Sequence, residues 1–161
     1  MSATPASGWR FIGDIFFRFE APDTVYTALA GDLNVADVVE VAAEVQRTVK
    51  GKPHYFAITD IRSLGSPSME VRKAAIEIGR GLPNRGMAFF GGSLRMRVIP
   101  SLIAQAVNLF NRWGKQSPIR FFETEAEARA WIDERRSIVA RERVLMDADK
   151  QPDSQPEQRA L

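Results

Sequence analysis

Tyr55-Phe56-Ala57-Ile58-Thr59 is a short, largely apolar run stopped by Asp60, and it lies between two stretches of helical periodicity. A run this short and apolar reads as a strand buried on both faces of a parallel sheet. On its N-terminal side, Val35, Val38, Val39, Ala42, Val45 and Val49 recur at helical spacing, with Asp32 or Asn34 as the cap and Gly51-Lys52-Pro53 as the stop. On its C-terminal side, Ser66-Pro67 reads as a helix start, Val71, Ala74, Ala75, Ile78 and Leu82 as its apolar face, and Gly81 and Pro83 as its end. A strand held between two amphipathic helices is the signature of a helix-covered sheet.

The same alternation runs through the rest of the chain. Phe16–Glu20 and Thr24–Leu29 flank the turn Ala21-Pro22-Asp23 and predict an antiparallel pair, with Trp9 to Ile12 extending the first strand or packing on it. Met87–Phe90 predicts a strand ended by Gly91-Gly92. Ile99, Leu102, Ile103, Ala106, Leu109, Phe110 and Trp113 trace a wide apolar helix face ended by Gly114. Ile119–Phe122 predicts the last strand. Thr124 and Glu127 have capping-box spacing, and Ala128, Trp131, Ile132, Ile138 and Val139 populate the helix that follows. The predicted order is β-β-α-β-α-β-α-β-α: an α/β fold with a mixed, mostly parallel sheet, an N-terminal β-hairpin and four helices. Residues 1–8 read as a flexible N-terminus, 9–146 as one domain, and 147–161, rich in Pro, Gln, Asp and Ser, as a disordered tail.

The 161 residues suffice for one domain with a real core. There are no cysteines, which excludes disulfides, thiolate nucleophiles and cysteine-bound metal, and no apolar run is long enough for a membrane span. With no secretory signal visible, a cytoplasmic location is expected. The net charge of +2 hides an asymmetry. Between Glu77 and Glu123 there is no acidic residue, but there are Arg80, Arg85, Arg95, Arg97, Arg112, Lys115 and Arg120. Such an interval suits an anion, an acidic protein face or a membrane surface, or simply a solvated surface.

Catalytic chemistry finds little support. His54 is the only histidine and has no visible partner for acid–base work or metal binding. Ser66, Ser68 and Ser93 lie in no nucleophile elbow. Asp60, at a strand end, either meets a ligand or bonds the backbone of the turn that follows. Gly91, Gly92 and Ser93, followed by Arg95 and Arg97, lead into a helix start where N–H groups and two guanidiniums would favour an anion. The spacing is neither a P-loop nor a dinucleotide fingerprint, and a plain turn explains it as well.

The segments "ALAGDLNVADV", "YFAITDIRSLGSPSMEVRKAA", "GMAFFGGSLRMRVI" and "IRFFETEAEARAWID", in that order, resemble the STAS domain of bacterial anti-sigma-factor antagonists. More narrowly they resemble the SpoIIAA-like, or STAS/SEC14, proteins, over roughly Phe16 to Ile138. The resemblance implies a non-enzymatic signalling module, which binds a regulatory protein and is switched by phosphorylation of a serine at a helix N-terminus; no cofactor or metal is expected. The matching segment here, Leu64 to Met69, offers Ser66 and Ser68 but no Asp-Ser pair. Partner-binding candidates are Asp60, Arg62, Ser66, Ser68, Gly91, Gly92, Ser93, Arg95 and Arg97. The alternative that the wider grouping suggests is a carrier of a small anionic or lipid-like ligand, with Phe89, Phe110 and Trp113 as apolar walls, or a homodimer built on that helix. No nucleic-acid partner is expected, since neither a helix-turn-helix nor a stacking platform is visible.

Overall fold

The structure, a computed structural model, describes residues 8–79, 81–92 and 118–149. Its centre is a mixed six-stranded sheet whose strands lie in chain order: β1 (Arg10–Ile12), β2 (Ile15–Glu20), β3 (Thr24–Gly31), β4 (Tyr55–Leu64), β5 (Asn84–Phe90) and β6 (Ile119–Phe122). The first two pairings are antiparallel, and β3–β4, β4–β5 and β5–β6 are parallel. The described residues hold three helices, α1 (Val35–Val49), α2 (Met69–Gly79) and α3 (Glu125–Asp149). The further helix expected from Ile99 to Trp113 lies outside the described residues.

Several boundaries depart from the sequence reading; among them, β5 begins at Asn84, three residues before Met87, and α2 ends at Gly79, short of Leu82. Of the two readings open for Trp9 to Ile12, extending the first strand or packing on it, the second is met: Gly13, at φ 54°, turns the chain so that Arg10–Ile12 pairs back on β2 as a separate edge strand. Arg10 is then tied to Glu44 of α1 at 2.5 Å, and Arg47 closes on the same carboxylate at 2.6 Å. β4 does not stop at Asp60 but continues to Leu64, pairing with Ala30 and Gly31 across a register shift in β3. Ser66 does not cap α2. The hydroxyl of Ser68 accepts from Val71 N at 3.3 Å, so the cap lies two residues later. α3 runs three residues past Met146, to Asp149.

Other local signals hold. Asn34 caps α1 in a reciprocal box with Asp37: Asp37 N donates to Asn34 Oδ1 at 3.0 Å and Asn34 N to Asp37 Oδ2 at 3.3 Å. Thr124 N donates to Glu127 Oε2 at 3.0 Å, and Glu127 N to Thr124 Oγ1 at 3.3 Å, which starts α3 as the spacing required.

Alternation along the strands divides the core in two. Tyr26, Phe56, Ile58, Ala88 and Phe90 face α3 and pack on its Ala128, Trp131, Ile132 and Val139. Phe17, Val25, Tyr55 and Ala57 face the other way, onto Val45 and Val49 of α1. Phe56 is wholly buried and Ile58 nearly so, as expected of the central strand of a sheet covered on both faces.

Candidate functional site

β3 to β6 run parallel, so their carboxyl ends share one rim, where ligands gather in open α/β sheets. Asp60 lies near that rim between Ala28 of β3 and Phe90 of β5, on the face that α3 covers. It is buried, and Arg62, two residues on and therefore on the same face, satisfies it. Arg62 N donates to Asp60 Oδ1 at 3.0 Å. Arg62 Nε reaches both carboxylate oxygens at 3.0 and 3.1 Å, and Nη2 reaches Oδ2 at 2.6 Å. Asp60 thus bonds the following backbone, one of the two roles the sequence allowed, and also holds a charge-assisted fork. The hydrogen bond to Asp60 raises the guanidinium pKa above its ordinary value.

The Arg62 side chain remains mostly exposed and crosses Gly91. Its guanidinium carbon stands 5.5 Å from the Phe90 ring centre, and a Cβ added at Gly91 would lie 2.1 Å from Arg62 Cγ. Gly91 has φ 81° and donates its N–H to Phe122 O at 3.3 Å. Its missing side chain makes the seat for Arg62. Beside it, Gly65 N donates to Gly31 O at 2.8 Å, and a Cβ on Gly65 would meet Asp32 Oδ1 at 2.1 Å. That packing draws the loop from Gly65 to Ser68 against the end of β3 and leaves Ser66 exposed. The rim therefore brings together Asp60, Arg62, Gly91 and Gly92, with Ser66 and Ser68 on the adjoining loop. Ser93, Arg95, Arg97, Phe110 and Trp113 lie outside the described residues. Phe89 stacks on Phe121, centres 5.1 Å apart, on the sheet face away from α3.

Behind the rim is an ionic network that the sequence did not reveal. Arg129 of α3 donates to both oxygens of Glu20 at 2.7 and 3.0 Å and to Glu125 at 2.7 Å. Arg18 adds a bond to Glu20 at 2.8 Å, with its guanidinium between the rings of Trp9 and Tyr26 at 4.3 and 4.9 Å. Arg129, and secondarily Arg18, hold the Glu20 carboxyl below its ordinary range, and Glu20 in turn raises Arg129. Burial, reinforced by the charges of Glu125 and Asp60, pushes the Tyr26 hydroxyl up to about 12, so it stays neutral and donates to Glu125 Oε2 at 3.5 Å. Glu125 and Arg129 are four apart and Arg18 and Glu20 two apart, but the bonds of Arg129 to Glu20 and of Tyr26 to Glu125 span about a hundred residues, and no short-range pattern points to them. A cavity of about 290 Å³ lies between the β2–β3 turn and α3, but its Arg129 and Arg136 are both engaged by carboxylates.

His54 is at the other end of the molecule, where β4 begins. Its Nε2 lies 3.9 Å from Asp23 Oδ2, and burial lowers its pKa below the ordinary value. Asp23 is bound chiefly by Arg136 and Thr24. Among the described residues no His/Asp/Glu group could hold a metal ion, and no carboxylate or histidine is hydrogen-bonded to the hydroxyl of Ser66 or Ser68. Of the basic interval, Arg85 pairs with Glu142 and Arg120 lies over the Trp131 ring. Arg80, Arg95, Arg97, Arg112 and Lys115 lie outside the described residues.

The fold and its rim define a small α/β domain with a sequentially ordered mixed sheet. A SpoIIAA-like family model matches residues 24–133, and the chain belongs to the SpoIIAA-like family. A solved structure of an uncharacterized protein with a SpoIIAA-like fold, from Shewanella loihica PV-4, superposes with a TM-score of 0.53 at 19% identity. The match covers 73% of this chain and 90% of that one, and it shows a shared fold. No curated protein matches the sequence. Among the described residues no helix is long and apolar enough to cross a membrane.

Proposed function

We propose that this chain is a non-enzymatic regulatory domain that binds another protein through the rim formed by Arg62, Gly91 and the loop from Gly65 to Ser68. The observation that carries the reading is the Arg62 seat. A buried carboxylate and a positive-φ glycine hold one exposed guanidinium in a fixed orientation, and the chain runs on from it into a loop that carries two exposed serines. A pre-oriented arginine of this kind supplies specificity at an interface and steers an acidic partner. Family membership supports a binding role, since domains of this kind are generally not enzymes. Ser66 is the better candidate for modification: it is exposed and its hydroxyl is not spent on the helix, whereas Ser68 is the cap of α2. A phosphate on Ser66 would add nearly two negative charges to the loop that follows Arg62.

Affinity purification of the tagged chain from its native cell, with mass spectrometry of both proteins and small molecules, tests the proposal. A specific protein should be recovered, and Arg62→Ala and Ser66→Glu should each reduce its recovery without unfolding the domain. Recovery of no protein, or a partner indifferent to both substitutions, would refute it. A co-purifying apolar anion with no protein would support the carrier instead.

A further inference from the structure

The last two turns of α3 extend beyond the body of the domain. Val139 is the last buried residue of the helix, and every residue from 143 to 149 is exposed. Val144, Leu145 and Met146 are 69, 70 and 56% exposed. Three consecutive apolar residues at this exposure gain nothing in an isolated molecule.

The charges around them are arranged in a particular way. Arg141, Leu145 and Asp149 are spaced four apart, so they form one stripe, with the two charges about 40° either side of Leu145 and about 12 Å from end to end. Among the described residues neither Arg141 nor Asp149 makes a salt bridge. Asp147 and Asp149 occupy the last turn, which holds no basic residue. Carboxylates at a helix C-terminus oppose the helix dipole, so this placement is unfavourable within the monomer.

An antiparallel copy of the same stripe covers Leu145 and gives Asp149 a cationic partner. With Leu145 on a two-fold axis, each Arg141 faces the Asp149 of the other chain, and the two leucines meet at the centre. An isologous contact requires this kind of self-complementary pattern. We infer that the exposed end of α3 is a homodimer contact in which Leu145 packs on Leu145 and two reciprocal Arg141–Asp149 ion pairs set the antiparallel register. The contact is short, so the dimer belongs to the weak, reversible class.

Sedimentation of the full chain from about 10 µM to about 1 mM reads this directly. Reversible dimerisation is expected, weakened roughly tenfold or more by Arg141→Asp or by Asp149→Arg, because each reversal turns two attractions into two repulsions. An equimolar mixture of the two single variants should associate again, since every pair in the heterodimer is then complementary. The doubly reversed chain should recover self-association for the same reason. Circular dichroism follows folding, and the mixing arm compares the same two polypeptides apart and together. A chain that stays monomeric across the range, a dimer indifferent to both reversals, or a mixture that fails to associate would overturn the inference.

Discussion

Thr27 and Thr59 face each other across the central parallel pair, both buried, with their hydroxyl oxygens 3.0 Å apart. Valine has nearly the shape of threonine, so Thr59→Val removes the partner without opening a cavity. The Thr27 hydroxyl then stays buried without its cross-strand bond, which costs about 1–2 kcal/mol. Thr27→Val should cost a similar amount. Replacing both removes the need along with the bond, and the double variant should be no less stable than either single one, a coupling of about 1–2 kcal/mol. Urea unfolding followed by circular dichroism measures this. At a slope of about 2 kcal/mol per molar, each single variant should lower the midpoint by about 0.5–1 M. If the double variant loses the sum of the two single losses, the hydroxyls do not act as a pair and the reasoning fails.

Gly91→Ala should lose about 1–2 kcal/mol from the positive φ alone, and its new methyl should also displace Arg62, so thermal unfolding should show a smaller loss when Arg62→Ala is already present. The Glu20 carboxyl titrates below its ordinary 4.5 in the folded chain, so its contribution is present above that pH and lost as pH falls through the folded value. Glu20→Gln should therefore be less stable at neutral pH, and its melting temperature should vary less with pH on the acid side. His54 is held neutral below its ordinary 6.5, so the unfolded chain takes up more protons there and stability declines as pH drops from about 6.5. His54→Gln should flatten that part of the same melting series.

Elements with a short-range signature were legible in the sequence. The Thr124–Glu127 box, the valine stripe of α1 and the apolar run from Tyr55 to Thr59 each declare their conformation within a few residues. β1 was hidden because three residues carry too little periodicity, and it exists through its pairing with β2 and the Arg10–Glu44 contact. Asp60 looked like a strand end because a carboxylate within a buried run is costly. Arg62 offsets that cost from the same face, which lets β4 continue to Leu64. Ser66-Pro67 carried the stronger helix-start signal, yet the Gly65–Gly31 bond holds the chain extended there and passes the cap to Ser68. The bonds of Arg129 to Glu20 and of Arg136 to Asp23 span more than a hundred residues and were beyond local reading.

The strands lie side by side in the order in which a ribosome would deliver them. Each new strand finds its neighbour already in place, so the ladder can lengthen one rung at a time during synthesis, with only the intervening connection to close at each step. α3, the last of the described elements, reaches back to the β2–β3 turn through Arg129 and Arg136, which makes its arrival the event that ties the last element to the second and third strands.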